Sequence, residues 1–293
     1  MVQAPVITIC VGATKAGTSW VYQQMAAHPD CEFRTIKELH YFDTLAAGSA
    51  DKRIQKLRGE KALLKQRLAA ASVTRQIDLQ RRIADLRDWI SVLSQPPANY
   101  EAYRHFLTKG RAAQAVVGDV TPAYATLPEA TLRRIAEMSE DVRILYLMRD
   151  PVARMWSHVR MLALRKADDA GFERAAATIF DTCVAKDPLM EARGDYAGAL
   201  TKLRAVVRQD RLLVMFSEEL MTAAGMAQLW QFLGLAAVET DFSVRVFEGK
   251  PLAQTPDQRA RARAALWPQY EQVALAFPTL PVAWRNSMKE VAA

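Results

Sequence analysis

Cysteine is scarce in this 293-residue chain. Its three copies, Cys10, Cys31 and Cys183, are odd in number and far apart, with no CxxC pair among them. That spacing points away from a disulfide framework and from a thiolate metal centre. Histidine is also sparse. His28, His40, His105 and His158 show no zinc-ligand spacing, so no metal is expected. No apolar run approaches the roughly 20 residues of a membrane span, and no membrane partner is expected. The basic-then-apolar pattern of a secretory leader is missing ahead of Val6, which makes the cytoplasm the expected location. Aromatic residues form 8% of the chain and are not interleaved with the basic ones in the helical segment that holds much of the positive charge.

Positive charge is in excess. Lys and Arg number 39 against 32 Asp and Glu, for a net +7. Such a balance suits anionic ligands and raises nucleic acid as a partner. Much of the basic charge, however, lies in one helical segment beside Asp and Glu, and no nucleic-acid motif accompanies it. A solvated helix face plus an anionic cofactor site explains the charge better, so no nucleic-acid partner is expected. A chain that is 51% hydrophobic and 24% charged can build a substantial core.

The stretch Val6–Pro29 organises the rest. Val6 to Val11 is a β-branched apolar run that suits a buried strand. Gly12-Ala13-Thr14-Lys15-Ala16-Gly17-Thr18-Ser19 forms a turn, and Trp20, Val21, Met25 and His28 then recur at helical spacing until Pro29. Strand, glycine loop and helix N-terminus make an anion site, where free N–H groups and the helix dipole converge. Gly12 and Gly17 have the spacing of a nucleotide P-loop, but Thr18 stands where that motif needs lysine. The only loop cation is Lys15. Taken alone, the pattern fits an ordinary strand-to-helix turn equally well.

Cys31–Thr35 reads as a short strand, followed by Lys37-Glu38-Leu39-His40-Tyr41-Phe42-Asp43. Ligands of open α/β sheets gather at the carboxyl ends of strands, which puts Glu38 near the anion loop. A carboxylate there can take an alcohol proton; by itself it also fits a surface group paired with Lys37. His40 either orients Glu38 or packs beside Tyr41 and Phe42. Ala115–Val120 reads as a buried strand with Asp119 near its end, facing the site. Val142–Met148 is a further strand, ending in Arg149-Asp150-Pro151. Arg149 can fork onto a phosphate or pair with Asp150. Ser157 lies two helical turns on and can add a hydroxyl on the same side. Arg154 and Arg160 read as surface or acceptor-facing. Arg211–Phe216 reads as the last strand, with Ser217 capping the next helix.

Three segments, GATKAGTSWVYQQMAAHP, KELHYFD and YLMRDPVARMWSH, resemble in order the motifs of sulfotransferases that use 3′-phosphoadenosine 5′-phosphosulfate (PAPS). The second resembles the heparan sulfate and related carbohydrate branch. The resemblance implies an enzyme that moves the sulfuryl group of PAPS to an acceptor hydroxyl and releases 3′,5′-ADP (PAP). It implies that Lys15, Ala16, Gly17, Thr18 and Ser19 hold the 5′-phosphosulfate, that Arg149 and Ser157 hold the 3′-phosphate, and that Gly249 and Lys250 fold over the donor. Glu38 then corresponds to the general base, with Lys15, Lys37 and His40 beside it as catalytic candidates. The acceptor implied is a carbohydrate or small metabolite, and a soluble bacterial type is expected. Val120 replaces a lysine that the family often has, so acceptor details do not transfer.

The expected fold is three-layer α/β/α, P-loop-like, with a central, mostly parallel sheet in one domain spanning 1–293. A helical hairpin is expected over about 51–97, where Ile54, Leu57, Leu64 and Leu68 and then Leu79, Ile83, Leu86, Ile90 and Leu93 carry helical spacing in two phases. It serves as an acceptor-side lid, a contact between two copies of the chain, or a structural insertion. Two alternatives to sulfuryl transfer remain: a P-loop-type kinase and a non-enzymatic nucleotide-binding module.

Overall fold

The computed structural model describes residues 4–96, 100–110, 115–185, 187–243, 246 and 249–289, with the side chains of 188–190 excepted. Pro97, at the end of the span expected for the hairpin, lies outside the described residues, as do Phe247 and Glu248 ahead of Gly249.

Five strands make one sheet: β1 (Val6–Gly12), β2 (Cys31–Phe33), β3 (Val116–Val120), β4 (Val142–Met148) and β5 (Leu212–Phe216). Their order is β2-β3-β1-β4-β5, and every pairing is parallel. Parallel strands need crossovers, and helices supply them: α1 (Thr18–Ala27), α2 (Tyr41–Ala46), α3 (Ala50–Leu68), α4 (Val73–Leu93), α5 (Tyr100–Thr108), α6 (Glu129–Ala136), α7 (Pro151–Lys166), α8 (Phe172–Val184), α9 (Pro188–Gly194), α10 (Tyr196–Val206), α11 (Ser217–Leu220), α12 (Ala223–Leu233), α13 (Pro256–Ala276) and α14 (Val282–Lys289). With both faces covered, the central strands are apolar throughout. Ile9, Cys10, Val11, Leu145 and Leu147 are fully buried. Burial pushes the Cys10 thiol up to about 12, so it behaves as a small hydrophobe rather than a nucleophile.

β2 ends at Phe33, two residues short of the run that the sequence suggests. Arg34 leaves the sheet because its guanidinium donates to the Phe106 carbonyl of α5 (2.7 Å) and pairs with Asp85 of α4 (3.3 Å). α3 and α4 lie outside the sheet order and break at Ala69–Ser72, where the two apolar phases fail to join.

No helix among the described residues is long and apolar enough to cross a membrane. β1 is flanked by β3 on one side and β4 on the other, so connections leave in opposite directions from its carboxyl end. That point is where open α/β sheets bind ligands. A surface hollow of about 310 Å³, lined by Pro5, Ile7, Glu101, Arg104, His105, Thr108 and Ser139, opens at the amino ends instead and contains none of the candidate residues.

Candidate active site

The loop after β1 carries the expected anion-binding features. Gly17 takes the N-cap position of α1 with φ 86°, a conformation costly for residues with a Cβ. The N–H groups of Gly17, Thr18 and Ser19 have no hydrogen-bond acceptor among the described residues, as a helix N-terminus dictates. The Lys15 ammonium also has no hydrogen-bond partner among them. Burial, then the charges of Arg149, Arg160 and Arg165, lower the Lys15 pKa, while Glu38 opposes the shift. The loop therefore already holds a crowd of positive charge.

Arg149 joins this loop from the tip of β4. Its Nη1 donates to the Lys15 carbonyl at 3.4 Å. Asp150 does not compete for it. One Asp150 oxygen accepts from the Ala153 N–H at the start of α7 (2.8 Å), and the other accepts from the Tyr270 hydroxyl (2.6 Å). Tyr196 braces the Arg149 backbone, donating to its carbonyl at 2.6 Å. Ser157 lies on α7 and is buried.

Ser217 is a participant that the sequence did not single out for this role. It does not cap α11, which has no side-chain cap. Its hydroxyl instead lies 2.6 Å from the Ala16 carbonyl and 2.9 Å from that of Met148. It thereby ties the β1 loop to the end of β4.

The segment after β2 delivers the carboxylate. Lys37 Nζ donates to Glu38 Oε1 at 2.5 Å, and His40 Nε2 lies 3.5 Å from Glu38 Oε2. His40 Nδ1 meets Asp43 Oδ2 at 2.6 Å, forming an Asp43–His40–Glu38 chain. His40 thus contacts Glu38 rather than merely packing beside the aromatic residues. Burial raises the Glu38 pKa, but the His40 hydrogen bond and the Lys37 charge outweigh it and bring the carboxyl down to about 2. Burial pushes His40 down, and the bonds to Asp43 and Glu38 more than offset that, taking it to about 9. At neutral pH Glu38 and His40 are therefore both ionised.

Asp119 does not face the site as expected. It is 2% exposed and forms a buried hub. Its carboxylate accepts from Thr121 Oγ1 (2.8 Å), the Tyr124 hydroxyl (2.8 Å), the Tyr103 hydroxyl (3.1 Å) and the Leu39 N–H (3.4 Å). That hub holds the Glu38 segment in place from below. The hairpin holds it from the side. Arg53 of α3 donates to the Glu38 carbonyl (2.8 Å), Arg82 of α4 to the Thr35 carbonyl (2.6 Å), and Asp85 accepts from both the N–H and hydroxyl of Thr35.

Among the described residues, three non-glycine residues adopt left-handed backbone: Lys15 (φ 71°), Glu38 (φ 63°) and His40 (φ 55°). All three belong to this site, as expected when strain is stored where function needs it. Gly249 and Lys250 sit farther round. Lys250 Nζ bonds Asp169 (2.9 Å) and lies 4.8 Å from the Phe172 ring centre, not on the β1 loop. Among the described residues no group of three or more His, Cys, Asp or Glu is arranged to hold a metal ion.

A family model for the sulfotransferase family matches residues 5–240, so the chain belongs to that family. No curated protein sequence matches it. Among solved structures, a sulfotransferase from Alicyclobacillus acidocaldarius is 20% identical with a TM-score of 0.61, over 97% of this chain and 100% of that one. The sulfotransferase domain of the Synechococcus PCC 7002 olefin synthase is 15% identical with a TM-score of 0.50, over 95% of this chain and 96% of that one. At these identities the likeness is one of fold.

Proposed function

We propose that this chain transfers the sulfuryl group of PAPS to an acceptor hydroxyl, on a carbohydrate or small metabolite, with Glu38 as the base. The observation that carries this reading is a juxtaposition. Unbonded amides and a free Lys15 ammonium lie within electrostatic reach of one ionised carboxylate. The first pair suits a phosphosulfate and the second an alcohol proton.

PAPS supplies a sulfur whose bond to the bridging phosphate oxygen breaks as the acceptor oxygen bonds to it. Lys15 and the Gly17–Ser19 amides, with Ala16 in the same turn, hold the phosphosulfate. Lys15 neutralises the negative charge that collects on the leaving phosphate of PAP, and such preorganised charge is usually the largest catalytic contribution. Glu38 takes the acceptor proton. A carboxyl at about 2 is ionised but weakly basic. Lys37 lowers that value together with the His40 hydrogen bond, so turning the Lys37 ammonium onto the sulfuryl oxygens both stabilises the transferring group and returns part of the basicity of Glu38. His40 keeps Glu38 oriented. Arg149 and Ser157 hold the 3′-phosphate, while Gly249 and Lys250 border the donor from the loop above α7. Arg149 fits the role because Asp150 leaves its guanidinium unclaimed.

The test is a thermal shift with PAP, 5′-ADP and ATP plus magnesium. Ligand at about 100-fold over Kd stabilises by roughly 2.7 kcal/mol, a shift of several degrees for a chain of this size. PAP is expected to shift the protein and 5′-ADP is not. A shift with magnesium-ATP but not PAP would overturn the reading in favour of a kinase.

A further inference from the structure

Besides Lys15, a second charged side chain near this site lacks a hydrogen-bond or ion-pair partner among the described residues. Arg154 of α7 was expected at the surface or facing an acceptor, yet it is 1% exposed. Its Nε and Nη1 have no hydrogen-bond partner among the described residues, and it makes no ion pair among them. A buried guanidinium without a counter-charge is costly, and natural cores avoid it unless something compensates.

Its neighbours do not compensate. His158, one turn along the same helix, is wholly buried, and its Nδ1 is also unpartnered. Its Nε2 lies 3.3 Å from Arg193 Nη1 of α9, a contact that only a neutral imidazole can accept. Burial, then Arg154, Arg193 and Lys15, hold the imidazole down to about 3, so it stays neutral. Glycine at 194 makes room for this placement, since a Cβ there would sit 2.5 Å from Arg154 Nη2 and the guanidinium would have to shift. The chain thus gives up a side chain to let a guanidinium lie against the α9 backbone, and puts a second guanidinium next to it. Two arginines and an acceptor-poor imidazole converge with no carboxylate in bonding distance among the described residues.

We propose that Arg154, His158 and Arg193 form a second oxyanion subsite, which receives a carboxylate, sulfate or phosphate group carried by the acceptor. The proposal rests on reading Lys15 and Glu38 as the transfer site. Position favours the acceptor over the donor as the source of the anion. Glu38 leads the charges felt by Arg193, and Lys15 is among those felt most by His158; Arg149, the 3′-phosphate candidate, is in neither set. The subsite therefore adjoins the place where acceptor oxygen meets sulfuryl group. Two guanidiniums suit an oxyanion because each offers a planar fork of donors. A neutral imidazole N–H adds a third donor once its tautomer places the proton on Nδ1. The enzyme would accordingly sulfate a hydroxyl on a molecule that is already an anion.

The test separates the two anions. Sodium sulfate is titrated against sodium chloride at matched ionic strength into protein saturated with PAP, for the wild type, Arg154→Met and Arg193→Gln. Sulfate is expected to raise the wild-type melting temperature by several degrees beyond chloride. Both variants are expected to lose that response, with an apparent Kd for sulfate at least tenfold weaker and PAP affinity within threefold of wild type. Arg154→Met should also melt higher than wild type when no anion is present, because an unpaired buried charge has gone; a binding site predicts this and a structural arginine does not. The proposal is overturned if sulfate leaves PAP-saturated wild type unmoved, or if both variants respond as the wild type does. It is equally overturned if Arg154→Met loses PAP affinity tenfold, because the anion is then the donor's own phosphate. If PAP fails to bind any form, the donor reading falls, and the same sulfate contrast in PAP-free protein still decides the subsite.

Discussion

Arg53 of the α3–α4 hairpin donates from Nη2 to the backbone carbonyl of Glu38 at 2.8 Å. The bond holds the main chain of the proposed base at a left-handed residue, where unaided backbone would relax. Through it the hairpin braces the segment that carries the proposed base. Arg53→Ala should therefore lower turnover more than it lowers donor binding. A hydrogen bond to a charged group contributes about 1.5–3 kcal/mol, which corresponds to roughly ten- to hundredfold in rate if it all appears in the transition state. Steady-state turnover and PAP titration on one preparation check this. An unchanged kcat would remove the bracing role.

Glu38→Gln keeps the shape of the side chain and removes its capacity to accept a proton. Turnover is expected to fall by roughly 10²–10⁴, the usual contribution of general base catalysis. The PAP-induced thermal shift should persist, since the loop amides and Arg149 are untouched. A variant that keeps turnover within threefold of wild type would show that another group takes the proton.

His40 links stability to pH. Burial, and to a smaller degree the Arg53 charge, lower its pKa, but the bonds to Asp43 and Glu38 outweigh both and raise it to about 9. A group whose folded value lies above its unfolded value, about 6.5 for histidine, stabilises fully below 6.5 and loses that contribution as pH rises through 9. Glu38 has the opposite sign: it stabilises above about 4.3 and loses its contribution as pH falls towards 2. Melting temperatures between pH 6 and 9.5 should fall with rising pH in the wild type. In His40→Gln that slope should flatten, and an equal slope in both proteins would mean that another group causes it.

Asp119→Asn should destabilise without touching the reacting groups. The carboxylate accepts four hydrogen bonds, and an amide turns one of those acceptors into a donor facing a hydroxyl. Leaving a buried partner unmatched costs about 1–3 kcal/mol, a loss of several degrees in melting temperature by calorimetry. Asp119→Asn is also expected to lower kcat, because Leu39 and Thr121 position the Glu38 segment through it.

The sheet was readable from sequence where strands are buried on both faces. The run Val142–Met148 is β4 itself, and the β1 loop follows the strand where the glycines said it would. Lys15, Gly17 and Arg149 were legible because an anion loop and a strand-tip arginine each have local signatures. What stayed hidden depends on long-range partners. Asp119 reads as a site carboxylate until Tyr103 and Tyr124 are folded onto it. Ser217 has the sequence of a helix cap but bonds carbonyls from two other elements. Arg154 sits on a helix with other basic residues, and only the packing of α9 shows that it is buried. The charges of the hairpin look like an ordinary solvated face, yet Arg53, Arg82 and Asp85 grip the chain from Thr35 to Glu38.

The left-handed backbone at Lys15, Glu38 and His40 has a consequence for anyone who would evolve this protein. Glycine at any of these three positions would relieve local strain, yet each change deletes a side chain of the proposed transfer site. On the proposed roles, selection for heat resistance alone is therefore drawn towards inactive variants at those positions. A stabilised, active form must draw its gain from elsewhere, and the amino ends of the strands, remote from the chemistry, are where screening can begin.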